Sequence, residues 1–212
     1  MGGMAAQSRA PRADAARNRD KLVAAGAAVF GQRGLDAPLE EVARRAGVSI
    51  GTLYNHFPAR QDLFDAIFPA RLAALDEIVE RSLADPDPWH GFVVYIEGFF
   101  ALQAEDRGLT DTLARRFPMS AELDAACHRG FADLARIIAR AKEAGALRPD
   151  FEPPDVVTLI WAMSQVIRES MDAAPDAWRR CLGFFLDGLR AEAAHPLPVQ
   201  ALTPDQLARF LG

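Results

Sequence analysis

Three groups of side chains have the types and spacing that do chemistry. The first is Gly47-Val48-Ser49-Ile50-Gly51, which satisfies the G-x-S-x-G pattern of a nucleophile elbow. That elbow needs a buried strand ahead of its serine. The residues before Ser49 have helical period instead, with Leu39, Val42, Ala43 and Ala46 on one face and Glu40, Glu41, Arg44 and Arg45 on the others. A hydrolase using Ser49 is thus a remote alternative, and no enzyme is expected. The second group is His56, His90, His128 and His195 with Cys127 and Cys181. No two histidines stand at i, i+4 and no cysteine pair has ligand spacing, so neither metal nor cofactor is expected. The cysteines read as reduced core thiols. The third group is Ser49, Gly51, Thr52, Tyr54, Asn55 and His56, which stay outside when Val48, Leu53 and Phe57 turn inward. Short hydrogen-bonding groups plus one aromatic suit a helix whose N-terminal end enters a DNA major groove. Arg60 follows at the next helix start, within reach of the phosphate backbone.

The elements that must position this third group are helices. Residues 14–33 carry Leu22, Val23, Gly26, Val29 and Phe30 at amphipathic spacing, and Gly34 stops the run. Leu39–Ala46 is a short helix with Pro38 at its start and Gly47 at its end, and Ser49 caps a second one that Pro58 closes. Helix, tight turn, helix is the arrangement that DNA readers use, with the small Ala43 at the crossing and Gly47 free to take a positive φ. A longer helix from about Arg60 carries Leu63, Phe64, Ile67, Leu72, Leu75, Ile78 and Val79, and Pro69 predicts a kink or break within it. Pro88 opens a helix with Phe92, Val93, Ile96, Phe99 and Phe100. Further helical spans are expected near 109–117, 121–144, 153–171 and 175–194, and the tail from His195 has a last helical turn or two at 204–211. The fold class is all-α, without strands: a short-helix head and a long-helix body. The expected divisions are an unstructured arm at 1–14, the head at 15–65, the body at 66–195 and a tail at 196–212.

Composition agrees with a folded chain. Of 212 residues, 50% are hydrophobic and 25% charged, which excludes disordered and collagen-like classes for the bulk of the sequence. No apolar run reaches the ~20 residues of a membrane span, and residues 1–17 lack the apolar stretch of a signal peptide. A cytoplasmic protein without membrane association is expected. The net charge of −5 is unevenly spread: residues 1–61 hold nine basic and five acidic side chains, residues 62–212 hold 15 and 24. A basic head on an acidic body approaches a polyanion head first.

At this point a resemblance becomes specific. The stretch 37–64, above all Gly-Val-Ser-Ile-Gly-Thr-Leu-Tyr-Asn-His-Phe at 47–57, resembles the DNA-binding head of the TetR family of transcriptional repressors, over about residues 15–65. The body resembles that of actinobacterial members. The resemblance implies a homodimer that binds a palindromic double-stranded operator and is released by a small-molecule effector held in the body. Carried over residue by residue, it puts phosphate contacts on Thr52, Asn55, His56 and Arg60, and base-edge contacts on Ile50, Gly51 and Tyr54. Arg44 and Ser49 complete the DNA-facing set. The sequence departs at Ala37-Pro38, where many relatives carry a hydroxyl residue.

In the body the same resemblance makes the last two long helices the dimer interface, a four-helix bundle in the pair. The residues concerned are Val157, Ile160, Trp161, Ser164 and Ile167 on one helix and Trp178, Cys181, Phe185 and Leu189 on the other, with an intramolecular core as the competing reading. Phe92, Phe99, Phe100, Phe131, Trp161 and Met163 either line an apolar effector cavity or fill a plain core. Arg115, Arg116 and Arg168 hold an anionic ligand or are solvated, and Arg9, Arg12 and Arg17 reach an adjacent groove or belong to a solvated tail. A helical module that docks a protein in place of DNA is the alternative function, and the basic head argues against it.

Overall fold

The computed structural model describes residues 9–115 and 121–211. Arg116 and residues 1–8 lie outside it, as do the side chains of Arg9, Arg12, Arg115, Cys127 and His128. The described residues form ten α-helices: α1 (Arg9–Arg33), α2 (Leu39–Ala46), α3 (Ile50–His56), α4 (Arg60–Ala84), α5 (Pro88–Glu105), α6 (Arg107–Arg115), α7 (Ala121–Glu143), α8 (Pro153–Ser170), α9 (Ala177–Leu189) and α10 (Pro204–Leu211). The only extended pairing among them is a single antiparallel bridge, Leu147 to Arg190. No described helix is long and apolar enough to cross a membrane.

Local chemistry explains the boundaries. Gly47 ends α2 in the left-handed region at φ +69°, and its N–H bonds back to the Arg44 carbonyl at 3.2 Å. Asp87 caps α5, its Oδ1 accepting from the Trp89 and His90 amides at 2.9 and 3.3 Å, with Pro88 as the first helical residue. At α4 the Ala59 amide donates to Asp62 Oδ2 at 2.7 Å, and at α8 the Glu152 amide donates to Asp155 Oδ2 at 2.8 Å.

Two apolar cores result. The head core gathers Leu22, Val29 and Phe30 of α1, Val42 of α2, Leu53 of α3 and Leu63 and Phe64 of α4. The body core gathers Phe92, Ile96 and Phe100 of α5, Leu134 and Ile137 of α7, Met163 and Ile167 of α8 and Trp178 of α9. Helix α4 belongs to both, giving Ile67 and Phe68 to the head and Ile78 and Val79 to the body. In the body it lies tightly on α5: Ser82 Oγ donates to the Gly91 carbonyl at 2.7 Å, and a Cβ at Gly91 would stand 2.4 Å from the Ser82 carbonyl oxygen. The chain after α7 folds back on the end of α9, where the Arg148 amide donates to the Leu189 carbonyl at 2.9 Å and the Ala191 amide to that of Ala146 at 3.0 Å.

Three sequence expectations are corrected. Helix α1 begins at Arg9, inside the expected arm. Ala10, Ala13, Ala15 and Ala16 favour helix strongly, and Pro11 lies in the first turn, where its missing N–H costs nothing. Of the kink or break expected at Pro69, the break is absent: helix α4 continues through the proline, with apolar faces on both sides clamped into separate cores. Helix α9 ends at Leu189, and a single 3₁₀ turn at Ala191–Ala193 replaces its expected last turn.

Candidate nucleic-acid interface

Helix α3 stands on the head with one side chain anchored and several presented. Leu53 is buried and fixes its inner face. Ser49 caps its start: Oγ accepts from the Thr52 amide at 3.1 Å and lies 2.9 Å from Thr52 Oγ1. Helix, not strand, precedes Ser49, and its hydroxyl is committed to the cap, so the nucleophile-elbow reading fails on geometry. Gly51 and Asn55 are exposed, Tyr54 is 46% exposed, and Ile50, Thr52 and His56 are half-buried. Tyr54 presents part of its ring and its hydroxyl to solvent from a capped, anchored helix. Arg44 is 78% exposed and only loosely paired with Glu41, at 3.8 Å. These side chains share the α2–α3 unit, and together they offer cations, amides, hydroxyls and a ring to a groove.

Arg60 is the exception. Its Nη1 donates to the Leu35 carbonyl at 2.5 Å and the Ala37 carbonyl at 2.6 Å, and its guanidinium lies 5.7 Å from the Phe30 ring centroid. Arg60 Nη1 therefore fastens the α1–α2 loop. Loop carbonyls without helical partners attract a nearby guanidinium. Conversely, sequence reading passed over Arg19. Its guanidinium stacks 5.3 Å from the Phe57 ring, which puts a cation beside the C-terminal end of α3. Its place three residues before Leu22 on the same helix was the available signal.

The head meets the body through α6. Asp111, buried on α6, accepts from the Leu35 amide at 3.0 Å. Arg71 on α4 forms a two-pronged pair with Asp106: Nε to Oδ2 at 2.7 Å and Nη2 to Oδ1 at 2.9 Å. Asp106 Oδ1 also accepts from the Leu109 amide at 2.9 Å, which caps α6. The head's orientation is thus held by hydrogen bonds to one short body helix as well as by α4.

Known proteins share this arrangement. Residues 22–67 match the model of bacterial regulatory proteins of the tetR family, and residues 87–191 match the C-terminal domain of SbtR-like transcriptional regulators. The crystal structure of TetR transcriptional regulator SCO0520 from Streptomyces coelicolor is 30% identical and superposes with a TM-score of 0.56, covering 81% of this chain and 98% of that one. The chain belongs to the TetR family of transcriptional regulators. A TetR transcription regulatory protein from Mycobacterium vanbaalenii is 31% identical, with a TM-score of 0.53 over 84% of this chain and 98% of that one. The HTH-type transcriptional repressor BepR of Brucella suis is 33% identical over 85 residues, 39% of this chain and 41% of its own. The chain spans 41% to 66% of the curated relatives it matches.

The TetR-type body distributes the remaining expected site residues unevenly. Phe92, Phe100 and Met163 are fully buried in the core, Phe99 and Trp161 are half-buried, and Phe131 is 37% exposed. The two clefts described in the structure lie at the head–body junction, and none of these six residues lines either. One polar feature of the core was not foreseen. Gln103 is fully buried; its Oε1 accepts from Ser164 Oγ at 2.6 Å, and its Nε2 has no partner.

Of the expected interface residues, Val157, Ser164, Ile167 and Trp178 are buried within the chain's own core and present nothing to a partner. They are corrected to core residues: α8 and α9 each turn an apolar stripe toward α5, as any amphipathic helix does on its own body. Ile160, Cys181 and Leu189 are half-buried against that core. Phe185 is 42% exposed, and its neighbour Phe184, missed from sequence, is 65% exposed. Nothing stands within 4 Å of where a Cβ would sit on Gly183 or Gly188.

Proposed function

We propose that the chain is a ligand-responsive transcriptional repressor that works as a homodimer on double-stranded DNA. The single observation that carries this reading is the exposed face of α3: Gly51, Tyr54 and Asn55 project from a short helix whose cap, inner face and neighbouring loop are all fixed. Rigid presentation is what base-edge readout requires, and the N-terminal end of such a helix reads the groove. Ile50, Gly51 and Tyr54 face base edges. Thr52, Asn55, His56, Arg44 and Arg19 face phosphates, with Ser49 holding the helix start.

In the pair, two copies meet through α8 and α9. The support is the exposed ring pair Phe184 and Phe185, beside the open Gly183 and Gly188 that permit close helix approach. Two heads about 34–36 Å apart fit half-sites one helical turn apart. An effector enters the body near Gln103. Its Nε2 is a buried donor without an acceptor, and a carbonyl or carboxylate oxygen on an otherwise apolar molecule satisfies it. Effector binding shifts the heads only insofar as it favours one head spacing over another.

Fluorescence anisotropy with the gene's own upstream DNA and a scrambled control, at two salt concentrations, tests the reading. Tight, salt-sensitive binding that prefers the native sequence is expected. Tyr54→Ala should remove about 1–3 kcal/mol of that preference without loss of folding. Equal affinity for both DNAs in a genome-wide site selection as well would refute it.

A further inference from the structure

We propose that the cleft between head and body is an anion site for a small phosphate-bearing molecule, separate from both the DNA-facing surface and the body core. Three arginines from three elements line this cleft of about 230 Å³: Arg33 at the end of α1, Arg107 at the start of α6 and Arg168 in the last turn of α8. Gly34, Thr110 and Asp111 line it too. Three guanidiniums and one carboxylate line the cleft, and each guanidinium is also paired with a carboxylate outside the lining. The Asp111 carboxylate is turned to the Leu35 amide.

Each guanidinium has a carboxylate partner, and for Arg107 and Arg168 that partner is exposed and easily given up. Arg33 pairs with Glu41, Arg107 with Asp172 and Arg168 with Glu169 at 3.0 Å and Gln165 at 2.7 Å. The Asp172 and Glu169 side chains are 84% and 74% exposed. Exposed pairs of this kind contribute little and exchange readily. Arg107 also opens a helix, the end at which the macrodipole disfavours a cation, and the Asp106 carboxylate that caps this end is paired with Arg71. Phosphate oxygens match guanidinium forks better than single carboxylates do, because one phosphate accepts from several forks at once. The volume, about that of seven or eight waters at roughly 30 Å³ each, admits a small polyanion.

Position gives the site a consequence. Arg33 is on the head, and Arg107 and Arg168 are on the body. A polyanion that bridges them ties the end of α1 to α6 and α8, beside the Asp111–Leu35 bond that already joins the two parts. Such a ligand changes DNA affinity to the same degree that DNA changes its own.

Isothermal titration of the full chain with sodium triphosphate at constant ionic strength tests the site without DNA or effector, so its failure is distinct from failure of the repressor reading. One saturable site per chain is expected. Arg107→Gln/Arg168→Gln should raise its Kd at least about tenfold, since each lost charged hydrogen bond is worth that much. Arg129→Gln, on the exposed face of α7, should leave it unchanged, and circular dichroism should show all variants equally helical. Hydrogen exchange should slow at residues 35–37 on binding. Equal affinity in wild type and the double variant overturns the proposal, as does the absence of saturable binding. Loss of binding in Arg44→Gln/Arg45→Gln with retention in the double variant also overturns it, because the anion is then mimicking DNA backbone on the head.

Discussion

Gly34→Ala is the sharpest probe of how head and body are joined. Gly34 is buried and holds φ at +80°, where a residue with a Cβ is strained by roughly 1–2 kcal/mol. The added methyl carbon would also stand 2.3 Å from Asp111 Oδ2, far inside contact distance. The carboxylate must therefore move, and it is the acceptor for the Leu35 amide. Leaving that buried amide unsatisfied costs about 1–3 kcal/mol more. The substitution should thus destabilise by about 2–5 kcal/mol, read as a lower midpoint in urea denaturation. A double-mutant cycle isolates the contact. In an Asp111→Ala background the amide is already unsatisfied and the clash is gone, so Gly34→Ala should cost only the ~1–2 kcal/mol of backbone strain. The missing ~1–3 kcal/mol is the coupling between the head's loop and α6. An equal cost of Gly34→Ala in both backgrounds would refute the reasoning, because the Asp111 bond would then play no part in holding the junction.

Three further outcomes follow from individual contacts. Arg60→Gln should lower stability by about 1–3 kcal/mol through the loss of two charged hydrogen bonds, yet leave the salt slope of DNA binding unchanged; a slope reduced by about one would return Arg60 to the phosphates. His90 pairs with Asp85 at 2.5 Å, and that hydrogen bond raises the imidazole above its ordinary 6.5 and lowers the carboxyl below 3.8. The histidine's contribution is full below 6.5 and disappears as pH rises through its raised value, so the excess melting temperature of wild type over His90→Gln should shrink as pH rises above 6.5; a constant difference would refute the pairing. Phe185→Glu should shift the chain from dimer to monomer in light scattering with its helix content intact, and an unchanged dimer would move the interface away from α9.

Sequence periodicity located nearly every helix of this chain because each has an apolar stripe and a chemical stop. Gly34, Gly47 and Gly145 take positive φ where the run of apolar residues ends, and Pro88 and Pro153 open the helices they precede. Helix α3 was legible for the same reason: Leu53 is buried and Ile50 packs beside the head core, so Gly51, Tyr54 and Asn55 turn outward. The errors have a common source. Local propensity misplaces the α1 start and allows a break at Pro69, and a permissive first turn and tertiary clamping override it. Trp178 and Ile167 stood between a partner interface and an intramolecular core because periodicity reveals that a face is apolar without revealing what covers it, and both lie in the core.

The junction lay beyond the sequence for a deeper reason. Asp111 and Leu35 are 76 positions apart, Arg71 and Asp106 are 35 apart, and no helical period connects them. Arg60 shows the same limit within the head. A cation at a helix start has the sequence signature of a phosphate contact, and no periodicity reveals that the carbonyls of Leu35 and Ala37 also hold its Nη1. These long-range polar contacts decide how the recognition helix is carried. One of them ends on α6, at Asp111, and another on Asp106 just before it; α6 also supplies Arg107 to the arginine-lined cleft. An anion that redistributes charge at the start of α6 therefore acts on the same nine-residue element that grips the head at Leu35. The Gly34→Ala cycle and the triphosphate titration consequently probe one mechanical joint from its two sides. A junction that loses its Asp111 coupling should also lose the slowed exchange that triphosphate imposes at residues 35–37. Triphosphate protection that survives Asp111→Ala would separate the two and place the grip on Arg33 alone.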